Sequence, residues 1–293
     1  MSTSHRNAKA PGPSPCRAVL LGTAQDGGVP QAGCGCPHCT GARQDPRQRR
    51  RVACLGLVDL ENGHSWLVDA TPDFREQLHH LQTLAPGARL AGILLTHAHM
   101  GHYTGLIHLG KEAWNTRDLP LYASREMLSF LAQHAPWCQL LAEGNISPVP
   151  VVPGQAVALG PALSVTPLAV PHRNEWSDTL AYRIQGPRRT LLYCPDIDGW
   201  ERWEQELGTL LDQVDVALLD GCFFRADEVP GRDIREIPHP LVADTLARSR
   251  GRRAQVVLVH LNHTNPLLHP GPEREWVRRA GALVGEEGQI WAL

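Results

Sequence analysis

The sequence has no apolar run approaching the roughly 20 residues that a membrane-spanning helix needs, which excludes a helical membrane protein. Met1 to Ala10 is polar and leads into Pro11-Gly12-Pro13-Ser14-Pro15 without the apolar centre of a secretory signal, so residues 1–15 are read as a disordered tail on a cytoplasmic protein. A charge excess is also missing. Lys+Arg number 28 against 30 Asp+Glu, a formal net charge of -2, so no global field draws the molecule to nucleic acid or an anionic membrane. Any anionic substrate must be held locally. No internal repeat appears at a solenoid period. Paired-cysteine spacing is largely absent too: of eight cysteines, Cys16, Cys54, Cys138, Cys194 and Cys222 are scattered, as reduced core thiols are, and only Cys34, Cys36 and Cys39 cluster.

What is present is enough for a full core. The chain has 293 residues, 42% of them hydrophobic, which fits one large α/β domain over residues 16–293. Short apolar runs read as strands over 16–21, 52–60, 65–68, 91–95, 119–122, 163–170, 179–184, 190–193, 214–219 and 255–259. Glu61-Asn62-Gly63-His64 supplies an Asn-Gly hairpin turn. Helical periodicity appears over 72–83, 104–114, 124–134, 200–211 and 240–248. Hairpins early and strand-helix alternation later imply two packed sheets with helices outside.

The most informative segment is Leu94-Leu95-Thr96-His97-Ala98-His99-Met100-Gly101-His102. Three imidazoles at H-x-H-x-x-H spacing after a strand have little use in a core but can converge on a divalent cation. Further ligand types follow strands: His172 after Leu168-Ala169-Val170-Pro171, Asp196 after Tyr193-Cys194-Pro195, and His260 closing Val256 to Val259. Loops at one edge of a sandwich would bring these donors together. Lone histidines such as His64, His79, His80 and His108 carry no comparable signal.

This ordered set resembles the metallo-β-lactamase superfamily, whose signature is H-x-H-x-D-H followed by a distant His, Asp and His. The resemblance implies an αββα sandwich of two mixed sheets flanked by helices. It also implies His97, His99 and His172 as ligands of a first metal, Asp196 as bridging carboxylate, His102 and His260 at a second metal, and Asp69 as the acid orienting the histidine loop. Gly101 stands where the signature has Asp, so the second site loses a carboxylate, and one tightly held ion is expected. Asp73, Glu112, Glu175 and Asp198 are candidates to restore that carboxylate.

Gly33-Cys34-Gly35-Cys36-Pro37-His38-Cys39 is a second constellation, a structural zinc loop over 33–41. Three thiolates so close together repel without a cation, and zinc needs a fourth ligand, His38 or a distant residue. The phosphodiesterase of bacterial phosphonate utilisation has a similar cysteine cluster and a late H-x-x-H, and that resemblance favours His263. Other segments resemble the coenzyme PQQ synthesis protein B family: Gly22 to Gln31, Ala70-Thr71-Pro72-Asp73-Phe74-Arg75, Leu219 to Phe224, and Asn262 to Leu267.

The function expected from the site is a metal-dependent hydrolase of a small ester, a phosphodiester first, with zinc, manganese or iron at the histidines, one or two ions. Asp196 would orient or deprotonate water, and His239 is the candidate general acid because imidazole titrates near neutral pH. Arg173, Arg225, Arg232 and Arg235 could meet a phosphate. The alternatives are a metal-dependent oxidoreductase of pyrroloquinoline quinone biosynthesis and a non-catalytic binding protein on the same fold. The expected partner is a small molecule, with neither membrane nor nucleic acid. Among the tryptophans, Trp114, Trp137, Trp176, Trp200 and Trp203 could line a homodimer interface or cover the site, Trp176 being nearest to His172 in the chain.

Overall fold

The computed structural model describes residues 14–203, 207–229 and 234–293, with nothing described of the Arg235 side chain. The strands are β1 Cys16–Gly22, β2 Cys54–Asp59, β3 His64–Val68, β4 Arg89–Leu94, β5 Leu119–Ala123, β6 Ile146–Pro150, β7 Val157–Ala158, β8 Ser164–Val170, β9 Thr179–Gln185, β10 Thr190–Cys194, β11 Val216–Asp220, β12 Gln255–Val259, β13 Leu283–Val284 and β14 Ile290–Ala292. The helices are α1 Pro37–Gln44, α2 Phe74–Leu84, α3 Met100–Tyr103, α4 Arg125–Gln133, α5 Trp137–Ala142, α6 Leu207–Gln213, α7 Val242–Ser249 and α8 Pro272–Arg279.

One sheet has the order β14-β1-β2-β3-β4-β5-β6 and the other β13-β12-β11-β10-β9-β8-β7. Both are mixed. In the first, β1, β2 and β3 pair antiparallel and β3 to β6 parallel. In the second, β7 to β10 pair antiparallel and β10 to β13 parallel. Three apolar layers follow from strands that bury both faces. Trp66, Tyr182, Tyr193, Leu55 and Val257 lie between the sheets. Phe74, Leu81, Met127 and Leu131 pack α2 and α4 on the first sheet, and Leu211, Leu246, Trp200 and Val277 pack α6, α7, α8 and their flanks on the second. The architecture is the αββα sandwich.

Elements absent from the sequence reading are short or edge pieces. β6 contains Pro148 and Pro150, which suits an edge strand without a complete ladder. α8 buries Val277 alone, so its apolar periodicity is nearly invisible. The helix expected over 104–114 is a 3-10 turn from Thr104 to Leu109, because Gly105 sits against the Thr71 and Ala70 carbonyls and holds the chain down there. The helix expected over 200–211 is a 3-10 turn at Trp200–Arg202 followed, beyond residues outside the description, by α6. The tail expected over 1–15 lies mostly outside the described residues. Ser14 and Pro15 are bonded to the sheet, Ser14 Oγ donating to the Leu293 carbonyl and Pro15 O accepting from Leu60 N.

Sheet geometry places the polar residues. Asp69 follows β3, Thr96 and His97 follow β4, His172 follows β8, Asp196 follows β10, Asp220 closes β11, and His260 follows β12. Bonds that stitch the sheets together beside this edge include Tyr182 Oη donating to Leu95 O at 2.7 Å and Leu180 N to Thr96 O at 3.0 Å.

Candidate metal centre

The histidine segment is held by Asp69, which is fully buried and has φ 73, a left-handed conformation that acids tolerate better than most side chains. Its Oδ1 accepts from Thr96 N at 2.8 Å and Oδ2 lies 2.7 Å from His102 Nδ1. With Nδ1–H donating to Asp69, His102 presents Nε2 to the pocket. Thr96 Oγ1 lies 2.9 Å from His97 Nδ1 and likewise turns His97 Nε2 inward. Asp198 Oδ1, 3.0 Å from His172 Nδ1, does the same for His172. His99 is reversed: its Nδ1 faces His97 Nε2 at 2.8 Å and His172 Nε2 at 3.1 Å, while Nε2 meets Glu175 Oε2 at 3.2 Å.

His97, His99, His172 and Asp196 thus form one group of converging donors, and Asp26, His102, Asp196 and His260 a second, each within 4.8 Å. Asp196 spans both, with Oδ1 3.2 Å from His172 Nε2 in the first and Oδ2 3.7 Å from His102 Nε2 in the second. His239 also enters the site, its Nδ1 2.7 Å from Asp220 Oδ2 and 3.4 Å from Asp196 Oδ1. Cys222, read from sequence as a core thiol, lies with His239 and His260 in a third group.

Two acids escaped the sequence reading. Asp220 anchors His239 and accepts from Cys222 N and Ile197 N. Asp26 supplies the second group with the carboxylate that Gly101 lacks. None of the four expected candidates does so. Asp73 accepts from Val52 N, Glu175 and Asp198 stand behind His99 and His172, and Glu112 lies beside Gly110, outside the donor groups. The available signal was position: Asp26 follows β1 as the other donors follow their strands.

Burial and the neighbouring carboxylates set the charge of these donors. Burial would raise the Asp196 carboxyl, yet the charges of His172, His260 and His239 carry it well below the carboxylate range. Burial pushes His97 and His99 down, keeping them neutral as ligands must be. Burial opposes a charge on His102 and His172, but Asp69 with Asp26 holds His102 well up, and Asp196 with Asp198 lifts His172 to about 10. His239 is raised against its burial by Asp220. Buried atoms without any hydrogen-bond partner include Asp26 Oδ1, His102 Nε2, Asp196 Oδ1 and both ring nitrogens of His260. Buried polar atoms are seldom left so, and their convergence fits one or two divalent cations.

The cysteine loop has the same character. Cys34 Sγ and Cys36 Sγ lie 3.4 and 3.6 Å from His263 Nδ1, and Cys39 completes the group. His38 is turned away, its Nδ1 bonded to His263 O at 3.0 Å. Burial pushes the Cys39 thiol up to about 12, with the neighbouring sulfurs of Cys36 and Cys34 adding to it. These are four zinc-type donors.

Around the centre, Trp176 and Met100 are strongly exposed, while Trp200 and Trp203 are core. Trp114 is exposed and Trp137 packs on Tyr103. Arg173 has a buried Nε without a partner. Arg225 is exposed over the Phe224 ring, and Arg232 lies outside the described residues, as does the side chain of Arg235. A cleft of about 1050 Å³ reaches Asp26 between Gly28, Arg50, Arg51, Asp73 and Arg75. No helix among the described residues is long and apolar enough to cross a membrane.

Comparisons agree with this geometry. Residues 64–261 match the Beta-lactamase superfamily domain. Coenzyme PQQ synthesis protein B of Methylobacterium radiotolerans is 31% identical over 94% of this chain and 100% of its own. The crystal structure of Zn(2+)-bound PqqB from Methylobacterium extorquens has a TM-score of 0.81 at 23% identity, covering 94% of this chain and 100% of that one. A diphosphatase from the PhnP family follows at 0.66 and 22%, covering 94% and 96%. The chain has the donor set and fold of a metal-dependent hydrolase and belongs to the metallo-β-lactamase superfamily and, within it, to the coenzyme PQQ synthesis protein B family.

Proposed function

We propose that this protein is a metal-dependent enzyme acting on a small molecule in the manner of coenzyme PQQ synthesis protein B, a step in making a quinone cofactor. The observation that carries the reading is the pair of donor groups sharing Asp196, in a chain whose full-length relatives bear that name. His97, His99 and His172 would hold the first cation, His102 and His260 the second, and Asp196 both, with Cys34, Cys36, Cys39 and His263 holding a structural zinc. A cation in such a site supplies Lewis acidity and a more acidic bound water, and iron there would add redox chemistry.

The chain's own groups do the rest. Asp196, kept ionised by the surrounding histidines, would orient an attacking water. His239, its Nδ1–H held by Asp220, keeps Nε2 for proton exchange with the substrate, and Asp220 favours the charged form needed for donation. The cleft beside Asp26 has room for a small molecule, and arginines and acids both line it. Reduced thiols throughout the described chain fit a reducing compartment such as the cytoplasm. Exposed Trp114 suits a homodimer contact, and the near-neutral net charge gives no pull toward nucleic acid.

Hydrolysis of a small phosphodiester is the second reading, favoured by His239 standing beside Asp196 as a proton donor. One experiment separates the two. Protein loaded with zinc or with iron is assayed for bis(p-nitrophenyl) phosphate turnover and for oxygen uptake with quinone-type aromatic substrates, beside His99→Ala. Iron-dependent oxygen uptake lost in the variant supports the first reading; zinc-dependent ester turnover lost in the variant replaces it with the second. Neither activity in either form would favour the binding-protein alternative.

A further inference from the structure

We infer that Asp26 and Gly101 are a matched pair: Asp26 is the carboxylate donor of the second cation position, and Gly101 is bare because that carboxylate occupies the space its side chain would need. The inference builds on the metal reading proposed above. Asp26 Oδ1 lies 3.1 Å from His102 Nε2 and 3.6 Å from His260 Nε2, in a group that Asp196 completes. Although close, these atoms do not meet with hydrogen-bond geometry; Asp26 Oδ1, His102 Nε2 and His260 Nε2 are all buried without such a partner. Buried ligand-type atoms gathered around one point without hydrogen-bond partners are the arrangement a divalent cation satisfies.

The steric half is independent. A Cβ on Gly101 would fall 2.3 Å from Asp26 Oδ1, 2.8 Å from its Cγ and 2.7 Å from its Cα. Gly101 lies within the short helix α3, where glycine is a poor former, and it is not among the glycines with positive φ. Backbone conformation therefore does not call for glycine here; the occupied space does. The carboxylate reaches the centre from the loop after β1, and positions 26 and 101 are mutually exclusive sources of it.

Zinc per chain and zinc affinity, by elemental analysis and chelator competition on the purified full chain, test this in Asp26→Ala, Gly101→Ala and Asp26→Gly/Gly101→Asp. Asp26→Ala and Gly101→Ala should each lose one zinc, or weaken it by more than about tenfold, the least that removing even an indirect ligand partner costs. The zinc at His97, His99 and His172 and the cysteine zinc should stay, which also reports that the variants fold. The double variant should regain the lost ion, the glycine at 26 leaving room for a small loop shift. Asp26→Ala holding both histidine-site ions at wild-type affinity would overturn the donor role. Gly101→Ala doing so, or a folded double variant without the second ion, would overturn the pairing. A wild-type chain taking no zinc at the histidines would instead overturn the metal reading itself, and this inference with it.

Discussion

Asp69 shows how much a single residue carries. Its two oxygens meet Thr96 N, Thr96 Oγ1 and His102 Nδ1 in a fully buried position, and bonds to a charged acceptor contribute about 1.5–3 kcal/mol each. Asp69→Asn keeps a side chain suited to φ 73 but loses the charge, so stability in denaturant should fall by about 2 kcal/mol and the His102 ion should bind more weakly. Glu228 offers a different test, away from the described ligands. Burial raises its carboxyl from 4.5 to about 7, with Oε1 accepting from Arg225 N and Oε2 buried alone. From about pH 4.5 to 7 the folded chain keeps a proton that the unfolded chain has released. Stability therefore falls as pH rises through that window, by roughly 3 kcal/mol when ionisation is complete. Glu228→Gln should flatten this slope and raise stability above about pH 8, read from denaturant midpoints across pH.

At the scale of elements, the cysteine loop and the metal centre share a clamp. His263 lies three residues beyond His260, and Leu261 pairs with Ala24 while accepting from Gln25 N. A zinc held by the four-donor cysteine group would thus pin both the loop bearing Asp26 and the strand end bearing His260. Cys36→Ser should release the structural zinc, lower the melting temperature, and weaken the second histidine-site ion more than the first, as elemental analysis and calorimetry would show. An equal loss from both positions would argue against this clamp. The strand ends themselves were readable: β3, β4, β8, β10 and β12 were each expected within three residues of where they begin and end. α1 was not, because its eight residues bury only Cys39 and Ala42 and start from a cysteine cap rather than an apolar face.

For the molecule as a whole, the question is what joins two sheets into one site. Apolar contact through Trp66, Tyr182 and Tyr193 supplies the area, but Tyr182 Oη to Leu95 O helps fix the sheets' relative position two residues before His97. Tyr182→Phe strands that buried carbonyl and should cost about 1–2 kcal/mol of stability while loosening the histidine site, seen as weaker zinc affinity without a change in secondary structure.

The H-x-H-x-x-H spacing, the cysteine cluster and the donors closing apolar strands are local patterns, and the sequence by itself determined them, together with the sandwich that strand and helix periodicity implies. Local pattern also made Asp73, Glu112, Glu175 and Asp198 equal candidates for a missing carboxylate, since each is merely an acid in or beside a loop. The tertiary structure decided among acids. Asp26 and Gly101 are 75 positions apart in the chain, and only the packing of the β1 loop on α3 brings one carboxylate into the space the other position leaves empty. Likewise His239 gained its place only when β11 put Asp220 against it. Sequence specifies which donors exist; the crossing of strand ends from two sheets specifies which of them share a point in space.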